Sequence, residues 1–304
     1  MFSLLLYHII GVTKRLQRKV GGLLKRILLI FIILIGLYVL FTSNIRSWLP
    51  FTKSETASAV TNSINMLEIN LSSVRATIIP EERNDIKAEL DGKGAVTVKK
   101  NGNQIKVEYS RKWFDGFKIF NHTPELYIYI PEDYNRKMAI DIGSGSLDFE
   151  GPSVELDELR IDMSSGKVDL TNITTKNFIH KGSSGMIDID TLVTNSGTID
   201  MSSGKVKIEN YQGELDAEVS SGLLDVQVNK LINDIHLRAS SGQIKLDLPD
   251  DADFKLNGKT TSGFINCDLP LTDKIVEKNK VEGTAGSGKH NVDVKVTSGM
   301  VKIY

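Results

Sequence analysis

The chain reads as an all-β protein, a single-stranded β-helix (β-solenoid) of about eight repeated coils preceded by one transmembrane α-helix. Three observations predict this. A run of 19 residues without a charge lies near the start, at Ile27 to Ile45. Nearly every stretch beyond residue 65 alternates apolar and polar residues. From residue 139 onward the alternation is cut into similar units by a recurring Ser/Thr-Ser-Gly.

The apolar run, ILLIFIILIGLYVLFTSNI, comes close to the ~20 residues that cross a bilayer as a helix. Lys14, Arg15, Arg18, Lys19, Lys25 and Arg26 precede it, and the first acidic residue of the chain is Glu55. This bias predicts a basic cytoplasmic segment over 1–26, a membrane span over 27–48 and everything further outside the membrane. Tyr38 and Trp48 fall toward the outer end of the span, where amphipathic rings favour the interface. A cleaved signal peptide has the same basic-then-apolar order, but the small residues Ala57 and Ala59 lie far past the apolar run. Residues 1–12 are too short to span; they suit an interfacial helix, or a start codon placed too early.

Residues 49–65, rich in Ser and Thr and without apolar periodicity, read as a linker. After it MLEINL, IKAEL, AVTVKK, QIKVEY, LYIYI and MAIDI have the period of two expected of half-buried strands, so 66–138 is read as an irregular β section of the solenoid. Residues 139–304 form the regular repeat. Its glycines are Gly145, Gly166, Gly185, Gly204, Gly222, Gly242, Gly263 and Gly299, with first spacings of 21, 19, 19, 18, 20 and 21 residues. Two short strands and two connections fit that length, and glycine is expected to supply a positive-φ corner. The second and fourth residues after each glycine, from Leu147 and Phe149 to Val301 and Ile303, are apolar in all eight copies and are assigned to the core. Cys267 is one of them, and as the sole cysteine it excludes an internal disulfide. The last spacing, 36 residues from Gly263 to Gly299, holds an insertion expected to cap or loop out from the final coils.

Eight [ST]SG turns, the DLP turns and the closing TSGMVKIY together resemble the bacterial "putative adhesin" β-solenoid family over roughly residues 66 to 304. With an N-terminal anchor the chain is similar to LiaG-type membrane proteins of Gram-positive bacteria. The resemblance implies a place among envelope-stress loci and carries over no catalytic residues.

Candidate chemistry is sparse. Paired serines such as Ser202 and Ser203 precede five of the glycines, but G-x-S-x-G is absent, and five equivalent copies suit a stacked hydroxyl ladder that satisfies turn backbone groups. The third residue after each glycine points outward. Asp148, Asp169 and Asp188 in that row either splay into water or share a cation. Arginine is scarce after Arg160, and no two of the five histidines have ligand spacing. No cofactor motif is present, no metal site is assigned, and a net charge of -1 gives no general attraction to nucleic acid.

The one non-repetitive segment of interest is Arg111 to His122, where Trp113, Phe114, Phe117 and Phe120 mix with Arg111, Lys112 and Lys118. It suits contact with a membrane, glycopolymer or protein partner, or else an aromatic plug closing the stack. The function expected is a non-enzymatic, membrane-anchored binding or adhesin-like accessory protein of the cell envelope, with envelope proteins or glycopolymers as partners. Two alternatives stay open: a polysaccharide-degrading β-helix enzyme, and a mechanical spacer or self-associating scaffold.

Overall fold

The computed structural model describes residues 30–32, 54–60, 62–111 and 123–304. The chain divides into two compact units, 1–52 and 53–304. Of the first, only Ile30, Phe31 and Ile32 are described; they are helical, and all three side chains are exposed. Among the described residues no helix is long and apolar enough to cross a membrane. The predicted span 27–48 otherwise lies outside them.

The second unit is all-β. Its strands in chain order are β1 (Ser54–Ala59), β2 (Met66–Leu71), β3 (Val74–Glu81), β4 (Asp85–Asp91), β5 (Ala95–Asn101), β6 (Gln104–Ser110), β7 (Glu125–Pro131), β8 (Lys137–Ile142) and β9 (Gly145–Phe149). Then come β10 (Val154–Met163), β11 (Lys167–Leu170), β12 (Ile173–Ile189), β13 (Leu192–Val228), β14 (Ile235–Asp247), β15 (Phe254–Cys267), β16 (Thr272–Glu277), β17 (Lys280–Ala285) and β18 (His290–Ile303). All belong to one continuous hydrogen-bonded sheet, wound so that coil stacks on coil through parallel pairing. β1 occupies part of the stretch read as a linker. It pairs antiparallel with β4 through its backbone, which needs no apolar alternation.

Register follows the glycines. Gly185 pairs with Gly204, Gly222 with Gly242, Gly242 with Gly299 and Gly299 with Gly263. Because the turns stack, the inward residues stack as well, and a continuous column of buried aliphatics runs through the stack. Fifteen of the sixteen assigned core positions are buried; Ile265 alone is partly exposed, and it packs against the same core. Cys267 is buried, and burial pushes its thiol pKa up, away from reactivity.

The glycine corners depart from expectation in kind. Their φ values run from +121° to +153° rather than near the +57° of a left-handed turn, so strand pairing continues through the glycine. This extended positive-φ region is essentially restricted to glycine. The spacing of the coils imposes a second restriction: a Cβ on Gly204 would stand 1.9 Å from the carbonyl oxygen of Gly185 below it. The paired serines also differ from the expected ladder. They are exposed, and the turn amides are satisfied by neighbouring coils, as where Ser164 N donates to Ile142 O and Ser184 N to Ser164 O.

Stacking order and chain order agree only in the middle. Near the start, β2 and β3 pair with β8 and β9 on one side and with β6 and β7 on the other, so the first coil in the chain is second in the stack. Near the end, β18 lies between β14 and β15. A simple sequential β-helix is therefore corrected to a stack in which one coil at each end is inserted out of order. The outer edges are covered by antiparallel strands: β5 on β6, β4 on β7, and the β16–β17 hairpin along β15. The insertion between the last two glycines thus caps the stack. Antiparallel cover blunts edges that would otherwise recruit another chain.

Candidate functional site

Outward residues form rows as regular as the inward ones. Four residues before the glycines, in stacking order, stand Asp141, Asp162, Lys181, Asp200, Glu218, Arg238, Lys295 and Lys259. Lys280 of β17 continues the row as the antiparallel partner of Lys259. Three residues after the glycines the row is Asp148, Asp169, Asp188, Lys207, Asp225, Lys245, Lys302 and Asn266. Both rows are mainly acidic in the early coils and basic in the late ones. The near-zero net charge of the chain conceals this gradient along the stack.

At the acidic end Asp148 and Asp169 are register neighbours. Burial, then hydrogen bonding and repulsion from Asp169, raise the carboxyl pKa of Asp148 above its ordinary value. Lys167 Nζ sits 2.6 Å from Asp169 and takes part of the charge. Among the described residues no group of three or more His, Cys, Asp or Glu side chains could hold a metal, so the cation expected as one option for Asp148, Asp169 and Asp188 finds no support.

At the basic end the row borders a groove of about 610 Å³. Arg238, Lys295, Lys259 and Lys280 line it, and Ser240, Thr297 and Thr261 stand two residues further along the same strands. Glu277 and Asn279, at the tip of the hairpin, contribute to the lining, as does Glu218. The cations differ in how they are neutralised. Arg238 holds Asp216 at 2.6 Å, and Lys280 holds Glu282 at 2.8 Å. Lys259 approaches the same Glu282 only at 3.9 Å, and Lys295 has no ion-pair partner among the described residues. The sequence carried a signal for this groove in the residue four before each glycine, where Arg238, Lys259 and Lys295 are all basic. Reading only the row after the glycine misses it, and the order in which β18 and β15 bring Lys295 and Lys259 beside Arg238 depends on the stack.

Of the predicted contact residues, Arg111 is described and exposed. Lys112, Trp113, Phe114, Phe117, Lys118 and Phe120 lie outside the described residues. One inward position also departs from the pattern. His180 occupies the column of Ile140, Ile161 and Ile199, fully buried, and among the described residues neither ring nitrogen makes a hydrogen bond of good geometry. Burial lowers its pKa to about 4; a marginal hydrogen bond with the Ile161 backbone and then the carboxylates of Asp162 and Asp200 pull the other way without offsetting it.

A stack of glycine-registered β coils with antiparallel caps defines a β-solenoid protein, and family comparison places it more narrowly. The Toastrack DUF4097 family profile matches residues 64–304, and the chain belongs to that family. No curated protein matches it. Similar solved structures include a putative adhesin from Parabacteroides merdae ATCC 43184, at 12% identity and TM-score 0.46 over 84% of this chain and 97% of that one. A putative adhesin from Parabacteroides distasonis ATCC 8503 aligns at 10% identity and TM-score 0.42, over 84% and 98% of the two chains. A putative lipid binding protein from the same organism aligns at 11% and TM-score 0.35, over 83% and 97%. At such scores these likenesses add nothing to the functional reading.

Proposed function

We propose that this chain is a non-catalytic binding protein of a bacterial cell envelope, tethered by a single span over 27–48 and displaying its β-solenoid outside the membrane. The observation that carries the binding role is the opposed charge at the two ends of one stack, with the basic end bordering a groove. A stack paired on every rung holds those side chains at fixed intervals of ~4.8 Å. The tether rests on the uncharged run at 27–45, the basic residues before it and the exposed apolar side chains of Ile30, Phe31 and Ile32. Its resemblance to LiaG-type proteins of Gram-positive bacteria adds an accessory role in envelope stress to this reading.

A reporter active only outside the cytoplasm, fused after Tyr304, tests the orientation: activity is expected, and a silent but stable fusion would overturn it. The charge gradient also favours a second reading, in which the acidic end of one copy meets the basic end of another and the chain is a self-associating scaffold. Crosslinking in intact cells separates the two, since a binding protein yields heterologous adducts and a scaffold yields ladders of itself.

A further inference from the structure

We propose that the groove beside β15 and the β16–β17 hairpin binds a linear polyanion, whose repeated oxyanion groups lie along the row Arg238, Lys295, Lys259 and Lys280. This deepens the binding role above and rests on it.

Like charges placed directly opposite on adjacent strands destabilise a sheet, and neighbouring strands are only ~4.8 Å apart. Four successive register positions here are cations. In the row after the glycines, where Lys245 and Lys302 are register neighbours, Asp225 stands 3.6 Å from Lys245 and offsets part of the charge. In the groove that relief is incomplete. Glu282 serves both Lys280 and Lys259, the latter at 3.9 Å, and Lys295 lies between Arg238 and Lys259 with no partner among the described residues. A mobile anion satisfies this arrangement from outside.

The shape of the donor set selects the kind of anion. Cations recur at one-strand intervals across the stack, and exposed hydroxyls of Ser240, Thr297 and Thr261 run parallel to them two residues away. One compact anion could engage a single rung, whereas a chain of oxyanions engages them all. Among the described residues no aromatic ring lines the groove, and the donors they offer are cationic and hydroxyl groups. Glu277 and Glu218 at the margins oppose the anion and limit its reach to the four-cation row.

The test uses the full chain in zwitterionic nanodiscs and follows anisotropy of labelled inorganic polyphosphate and of labelled polygalacturonate at low salt. Binding to either polymer is expected, the preferred one identifying the anion as phosphate or carboxylate, with affinity falling steeply as salt rises. The double variant K295Q/K259Q should weaken binding by about tenfold or more, since charge-assisted contacts are lost on two rungs. E277Q should tighten it. K295Q alone should also weaken binding while melting no lower than wild type, because it relieves repulsion, so its lost binding cannot be ascribed to unfolding. The proposal is overturned if neither polymer binds, or if K295Q/K259Q binds both as wild type does. It is also overturned if only anionic vesicles bind, or if the lysine row proves to drive salt-sensitive self-association instead. Because the nanodisc assay is indifferent to orientation in the cell, the topology reporter can fail while this site stands.

Discussion

His180→Ile is the substitution for which the structure gives the clearest arithmetic. The ring lies in a column otherwise filled by isoleucine at Ile140, Ile161 and Ile199, and its Nε2 points toward Gly182, where a Cβ would come within 3.0 Å of it. A pKa near 4 in the fold, against 6.5 when unfolded, means that the unfolded chain binds the proton first as pH falls. This histidine's penalty is therefore absent well above pH 6.5, grows as pH drops through that value and levels off below about 4. Between about pH 7.5 and about pH 5.0 the two pKa values convert to a loss of about 2 kcal/mol. The isoleucine variant has no such loss, and at neutral pH it should also gain about 1 to 3 kcal/mol by removing unpaired buried nitrogens. Urea unfolding of both proteins, followed by circular dichroism at the two pH values, measures the difference directly. Carboxylates elsewhere titrate equally in both and cancel. Equal pH dependence of the two proteins would refute the reasoning and mean that the imidazole is hydrated or hydrogen-bonded.

Gly204→Val adds a Cβ 1.9 Å from the Gly185 carbonyl oxygen in a backbone region that L-residues avoid; it should lower stability by at least about 3 kcal/mol, and an unchanged urea midpoint would show that the coils can spread. Replacing Trp113, Phe114 and Phe117 together by Ser distinguishes the two readings of that segment. A plug predicts a melting temperature lowered by the loss of roughly 1.5 to 3 kcal/mol per buried ring, whereas a contact surface predicts unchanged melting and lost sedimentation with liposomes or envelope material.

The repeat was legible because one physical requirement recurs at a fixed interval. Wherever two coils stack at a glycine, the next residues must alternate inward and outward, so Val206 and Ile208 or Leu224 and Val226 announce their burial by position alone. The same register would have exposed His180, five residues before Gly185, among isoleucines five before their own glycines. Stacking order was not legible. The units ending at Gly263 and Gly299 carry the same TSG and similar strands, and nothing local in either says which one pairs with β14. Turn geometry was legible only in the sign of φ, because glycine advertises a forbidden region without specifying which. The groove needed both the row pattern and the stacking order, and so was readable only in part.

The displaced position of β18 bears on how the molecule reaches its native state. During synthesis β14 and β15 are both available before β18 emerges, and their matching Ser-Gly turns allow them to pair with each other in good register. That pairing is non-native, yet with the same turn register it would form a comparable parallel ladder, so early contacts would be frustrated rather than guided. Correct closure requires the shorter connection, 248–253, to pass over a rung that is not yet filled. The capping hairpin, by pairing with β15 on its far edge, favours holding that strand one place outward. Folding of this end should accordingly proceed through a slow exchange of partners, and a chain halted before β18 has no strand to complete the interval between β14 and β15.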